Sequence, residues 1–148
     1  IGNWYLVVKP NAPLTLKSFE ELNQKSEEIF KSEQMYGIKD SEALQQIVDS
    51  VDNEYFGLVP YPTFLRKAAY YWERIATKQA FHNGNKRTAL LSALTYLDQN
   101  GLKLIRNDYN ELYRISLELA NKQIDYDDIY EYLILNVVFK NLTLNFDE

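Results

Sequence analysis

The run Asn83-Gly84-Asn85-Lys86-Arg87 carries the means to hold an anion. Asn-Gly-Asn tolerates positive φ, so successive backbone N–H groups can converge on one point. Directly after it, Ala89, Leu90, Ala93, Leu94 and Leu97 recur at helical spacing. A helix starting there adds the positive end of its dipole and N–H groups that have no acceptor inside the helix. Lys86 and Arg87 fall in that first turn, where cations oppose the dipole unless an anion is shared with them. A local conflict of this kind is expected at functional sites, and the chemistry it implies is phosphate binding. The same residues also suit a plain inter-helix turn with two solvated cations, and spacing alone leaves both readings open. His82, the single histidine, is read as a solvated loop residue rather than a base.

Helices must position this turn. Ser18 with Glu21 reads as a capping box opening a helix to about Lys31, and Gly37 breaks the chain beyond it. Asp40 caps a second helix carried by Ala43, Leu44, Ile47, Val48 and Val51. Pro62 suits the first turn of a third, along Phe64, Leu65, Ala68, Ala69, Trp72, Ile75 and Ala76. The helix after the turn stops at Asn100-Gly101, and Leu102 to Ile105 is a short extended piece. Asp108 with Glu111 starts another helix, and Asp125 a last one through Ile129, Leu133 and Val137. Trp4 to Val8 is β-like, with Pro10 and Pro13 behind it. The expectation is one all-α domain over residues 1–148, a bundle of about six helices with a short extended N-terminal segment.

Composition narrows the function classes. A chain of 148 residues can bury a core without staples. Its net charge of −5 argues against a general nucleic-acid binder. Without cysteine there is no disulfide framework or thiolate metal site, which fits a reducing compartment. No apolar run of membrane length and no signal-peptide pattern is visible, so the cytoplasm is the expected location and no membrane partner is expected. Tyr126, Tyr130 and Tyr132 are read as packing residues.

The full string Phe81-His82-Asn83-Gly84-Asn85-Lys86-Arg87-Thr88-Ala89-Leu90 resembles the signature of the Fic/Doc family, in its Doc (death-on-curing toxin) branch. That motif reads His-x-Phe-x-Asp/Asn-Ala/Gly-Asn-Lys-Arg. Lys86 selects the Doc side, because true Fic proteins usually carry glycine there. Ala68-Ala69-Tyr70-Tyr71 before the motif and Ser92 to Leu97 after it resemble the flanking Doc helices, and Gly37-Ile38-Lys39-Asp40 is similar to the family's Gly-Ile-Arg-Asp segment. The resemblance covers about residues 16–135.

It implies a toxin that moves the γ-phosphate of ATP, with Mg²⁺, onto a hydroxyl of a target protein, typically elongation factor Tu, and so inhibits translation. A separate antitoxin chain is the implied partner; the self-inhibiting Fic motif Ser/Thr-x-x-x-Glu-Gly/Asn is absent, which favours regulation in trans. By the same resemblance Phe81 anchors the loop, and Asn83 helps to hold Mg²⁺. Gly84, Asn85, Lys86 and Arg87 take the phosphates, and Lys39 and Asp40 belong to a flap that guides the target. Two positions depart from the pattern. Asn83 stands where many relatives have aspartate, and a neutral ligand attracts Mg²⁺ less strongly. Gln79 stands where the family has its catalytic histidine, and losing a general base costs about 10²–10⁴ in rate. Gln79 is open between natural divergence and an introduced substitution. Competing expectations are a non-catalytic nucleotide- or protein-binding module, and a nucleotidyl (AMP) transferase.

Overall fold

The structure, a computed structural model, describes residues 13–30, 35–106 and 108–140. Its element order is α1 (Leu16–Phe30), α2 (Ser41–Ser50), α3 (Phe64–Lys78), α4 (Asn85–Gln99), β1 (Leu102–Leu104), α5 (Tyr109–Ala120), α6 (Tyr126–Asn136) and β2 (Val137–Phe139). The bundle of six helices agrees with the sequence reading. The expected extended segment Trp4 to Val8 lies outside the described residues. Among those described, no helix is long and apolar enough to cross a membrane.

α3 and α4 pack on each other over their length and form the centre, with α1, α5 and α6 against them. The reason lies in α3, where Ala68, Ala69, Tyr70, Tyr71, Trp72, Ile75 and Ala76 are all buried. The alanines let α4 approach closely, while the large rings fill the gaps around them. Each ring carries a polar end that must be satisfied. Trp72 Nε1 donates to Ser116 Oγ at 2.7 Å, Tyr70 Oη donates to the Ile47 carbonyl at 2.6 Å, and Tyr71 Oη accepts from Leu14 N at 3.1 Å. Phe19, Tyr71 and Tyr96 stack edge-to-face at 5.5 and 5.3 Å, tying α1 to α3 and α4.

Several boundaries differ from the sequence reading. The α1 cap is Thr15 rather than Ser18: Ser18 N donates to Thr15 Oγ1 at 3.2 Å and Thr15 N donates to Ser18 Oγ at 3.1 Å. Starting the helix there lets Leu14 and Phe19 both reach the core, and leaves Glu21 exposed beside Lys17. Pro62 precedes α3, whose cap is Thr63, accepting from Arg66 N. Val137 leaves α6 for β2, where it pairs with Leu104; Lys103 faces Val138 and Leu102 faces Phe139 in an antiparallel register. β-branched Val137 and Val138 suit that strand, and Ile105 N donating to the Asn136 carbonyl holds its start.

Candidate functional site

The α3–α4 connection is built to be rigid. Gln79 closes α3 in the left-handed region at φ 51°, with its side chain exposed. Phe81 is fully buried, which contributes about 2–3 kcal/mol and anchors the loop. Around it the Asn85 amide makes a two-way clamp: Phe81 N donates to Asn85 Oδ1 at 3.0 Å, and Asn85 Nδ2 donates to the Phe81 carbonyl at 3.1 Å. So Asn85, expected to touch phosphate, spends its side chain on shaping the turn and offers only backbone.

Residues 37–40 are stitched to the same loop. Ile38 and Phe81 form an antiparallel bridge, Lys39 N and Asp40 N both donate to the Ala80 carbonyl, and His82 N donates to the Gly37 carbonyl. The segment is therefore held beside the turn by backbone hydrogen bonds. Asp40 also caps α2, accepting from Ala43 N at 3.0 Å, so its carboxylate is committed to that helix.

The turn opens α4 with Gly84 as N-cap, at φ 74°, and no side chain caps the helix start. Its first turn holds Lys86 and Arg87 and no acid. The anion arrives from another element. Glu27 of α1 is 2% exposed, and its Oε1 lies 3.5 Å from Arg87 Nη2. Neither of its oxygens has a hydrogen-bond partner among the described residues. A Cβ at Gly84 would stand 2.3 Å from Oε1, so the carboxylate rests on the face that glycine leaves open. A buried carboxylate without hydrogen bonds is costly. Here Arg87 and the positive end of α4 offset that cost, as they would for a phosphate oxygen.

Asn23, one turn before Glu27 and fully buried, holds this arrangement together. Its Nδ2 donates to the Asn83 carbonyl at 2.8 Å and to Thr88 Oγ1 at 3.1 Å, while its Oδ1 accepts from Gly37 N at 2.8 Å. One side chain thus joins α1, the segment at residue 37, the turn and α4. Sequence reading singled out neither residue. The signal was there: Asn23, Ser26 and Glu27 are polar residues on the same helical face as Phe19, turned inward.

The Asn83 amide nitrogen donates to the Met35 carbonyl, which leaves its amide oxygen as the atom that could face an ion. Among the described residues no group of three or more His, Cys, Asp or Glu side chains could hold an ion. Tyr109, at the start of α5, flanks the site. Burial raises its phenol above the ordinary value and the Arg87 cation opposes that rise, so the ring lies within electrostatic reach of Arg87. It stacks on Tyr113 with ring centroids 5.8 Å apart. His82 is exposed.

The structure therefore brings Asn83, Gly84, Asn85, Lys86 and Arg87 together at one helix start, with residues 37–40 alongside. Residues 13–97 match the Fic/DOC family. Over 75 residues the chain is 35% identical to "Toxin Doc" of Mycolicibacterium smegmatis (strain ATCC 700084 / mc(2)155), an alignment that covers 50% of this chain and 58% of that protein. The chain thus spans somewhat over half the length of this relative. With the family's pattern running through α1 to α4 and its signature forming the anion seat at Gly84, this chain belongs to the Fic/DOC family, on its Doc side.

Proposed function

We propose that this domain is a Doc-type toxin that transfers the γ-phosphate of ATP to a hydroxyl of a target protein, elongation factor Tu, and that an antitoxin chain restrains it. One observation carries the reading: the α4 start is an anion seat already filled by a carboxylate, Glu27 on Gly84 and Arg87. A phosphate oxygen can replace that carboxylate with little rearrangement of the turn.

The residues divide the work by their chemistry. Arg87 can contact two phosphate oxygens at once, and Lys86 acts as a point charge beside it. Gly84 and the backbone N–H groups of the first turn cradle the phosphate, held in shape by the Asn85 clamp. Mg²⁺, bound by the Asn83 amide oxygen and the phosphates, would neutralise charge on the group in transfer. Residues 37–40 lie beside the turn as the edge along which a target chain is aligned. Gln79 can hold the attacking hydroxyl by a hydrogen bond but cannot take its proton, so transfer is slow. Glu27 must leave the seat before the phosphate enters, which makes α1 part of the control of the site.

Gln79 also favours a second reading, a nucleotide-binding module without transfer. Incubating elongation factor Tu and Mg-ATP with the chain and with its Gln79→His variant separates the two. Label from γ-phosphate on the target, strong with Gln79→His and weak without it, is the expected result. Nucleotide binding with no label in either case selects the binding module. Label from α-phosphate instead selects nucleotidyl transfer.

A further inference from the structure

A second region of the molecule carries features that the transfer reading leaves unused. Between α2 and α3 lies a cavity of about 370 Å³, walled by Ile47 and Ser50, by Tyr55 and Tyr61 of the intervening loop, and by Arg74 and Lys78 of α3. Two cations line it and no acidic side chain does, in a chain whose net charge is −5. The loop is held in place at its base: Lys67 Nζ donates to Asp52 Oδ1 at 2.7 Å and to the Tyr61 carbonyl at 2.6 Å. Arg74 is held by Glu73 Oε2 at 3.1 Å and lies over the Tyr70 ring.

The outer rim of this cavity is a two-residue hairpin. Tyr55 N donates to the Leu58 carbonyl at 2.7 Å and Leu58 N donates back to Tyr55 at 2.9 Å. Phe56 and Gly57 at the tip both have positive φ, 51° and 81°. That turn type favours Asn-Gly, and a phenylalanine in the left-handed region costs about 1–2 kcal/mol. Among the described residues Phe56 gains no burial in return, for its side chain is fully exposed, and Tyr55, Leu58 and Val59 are exposed beside it. A strained backbone that displays an aromatic ring to water, within an apolar patch, marks a surface made for contact.

We propose that this hairpin and the cavity behind it form a docking surface for a protein segment that carries a carboxylate next to an aromatic or aliphatic side chain. The apolar side chain packs on Tyr55, Phe56 and Leu58, and the carboxylate enters the cavity toward Arg74 and Lys78. A polyphosphate fits this place poorly. Arg74 is already paired with Glu73, which leaves charge for a single carboxylate but not for several phosphates. The cavity adjoins the site along the chain, since Lys78 is followed by Gln79 and α2 begins directly after residues 37–40. A partner held here is delivered beside the turn, yet the docking itself does not depend on phosphate transfer.

The test is an amide chemical-shift titration of the full chain, at low salt, with the capped peptide Gly-Phe-Glu-Glu-Phe-Gly and its glutamine counterpart Gly-Phe-Gln-Gln-Phe-Gly. The expected result is shifts at Ser50, Tyr55, Leu58 and Lys78 with the acidic peptide, at least fivefold tighter binding than the glutamine peptide, and retention of those shifts in excess inorganic phosphate. Phe56→Gly should weaken binding at least threefold while thermal stability holds or rises, because glycine relieves the turn. Arg74→Gln combined with Lys78→Gln should remove the preference for the acidic peptide. Equal binding of the two peptides, shifts centred on Gly84 and Asn85, or full binding by Phe56→Gly would each overturn the proposal.

Discussion

Two helices of this molecule begin in opposite ways. At α6, Asp125 accepts from Asp128 N at 3.0 Å while the Asp128 carboxylate accepts from Asp125 N at 2.9 Å, and Asp127 and Asp128 place negative charge in the first turn. The box and the charge at that helix start both come from its own neighbours. At α4 the cap is a glycine, the first turn is basic, and the one carboxylate at the seat comes from α1. A helix start that satisfies itself holds the fold together. One that has no side-chain cap and no acid in its first turn is available to a ligand, and Glu27 shows what charge that ligand must carry.

The sharpest way to break the contrast is to remove the cation at α4. Arg87→Ala leaves Glu27 buried without its counter-charge, and stripping one member of a buried pair costs about 3 kcal/mol. A fall of that size in urea unfolding is expected, together with loss of phosphate binding. Adding Glu27→Gln to the same chain should return most of the stability but none of the binding. If the double variant is no more stable than Arg87→Ala, the carboxylate is not what the arginine supports. Next in size is Gly84→Ala, expected to cost about 2 kcal/mol from left-handed strain and the collision with Glu27 Oε1. Wild-type stability in that variant, read from the same unfolding curve, would show that the seat is not as tight as 2.3 Å implies.

How the seat could be foreseen differs from how its occupant could. Asn83 to Arg87 declare a turn and a helix start through local chemistry, so both were legible from consecutive residues. Glu27 was not, because its role depends on how α1 lies across α4, and nothing near it in sequence reports that. Asn23 is hidden for the same reason: its partners are Gly37, Asn83 and Thr88, brought together only by packing. The α1 cap was misplaced because Thr15 and Ser18 can both serve, and burial of Leu14 and Phe19 decides between them. Val137 was read as helix because its apolar spacing continues α6, whereas β1 captures it as a strand partner. Asp40, Asp125 and the Asn100-Gly101 stop were read correctly, each being set by residues within one turn.

Glu27→Gln alone separates occupancy from stability. The amide keeps the shape of the carboxylate and gives up its charge, so a phosphate no longer displaces a paired anion. Affinity for Mg-ATP, measured by titration calorimetry, should rise about tenfold, equivalent to about 1.4 kcal/mol. Unchanged affinity would mean that Glu27 neighbours the phosphate without competing for its place.

The smallest effect belongs to the self-satisfied helix. Asp125→Ala removes one half of the α6 box and leaves Asp128 N without its acceptor, a loss of about 1 kcal/mol. The Asp128 carboxylate can still accept from residue 125 N, which keeps the loss from being larger. Because α6 packs on α3, Mg-ATP affinity should stay within twofold of the parent. A stability loss without an affinity change is what a purely structural start requires. A parallel fall in nucleotide binding would mean that α6 helps to hold the seat, and the two helix starts would then differ in degree rather than in kind.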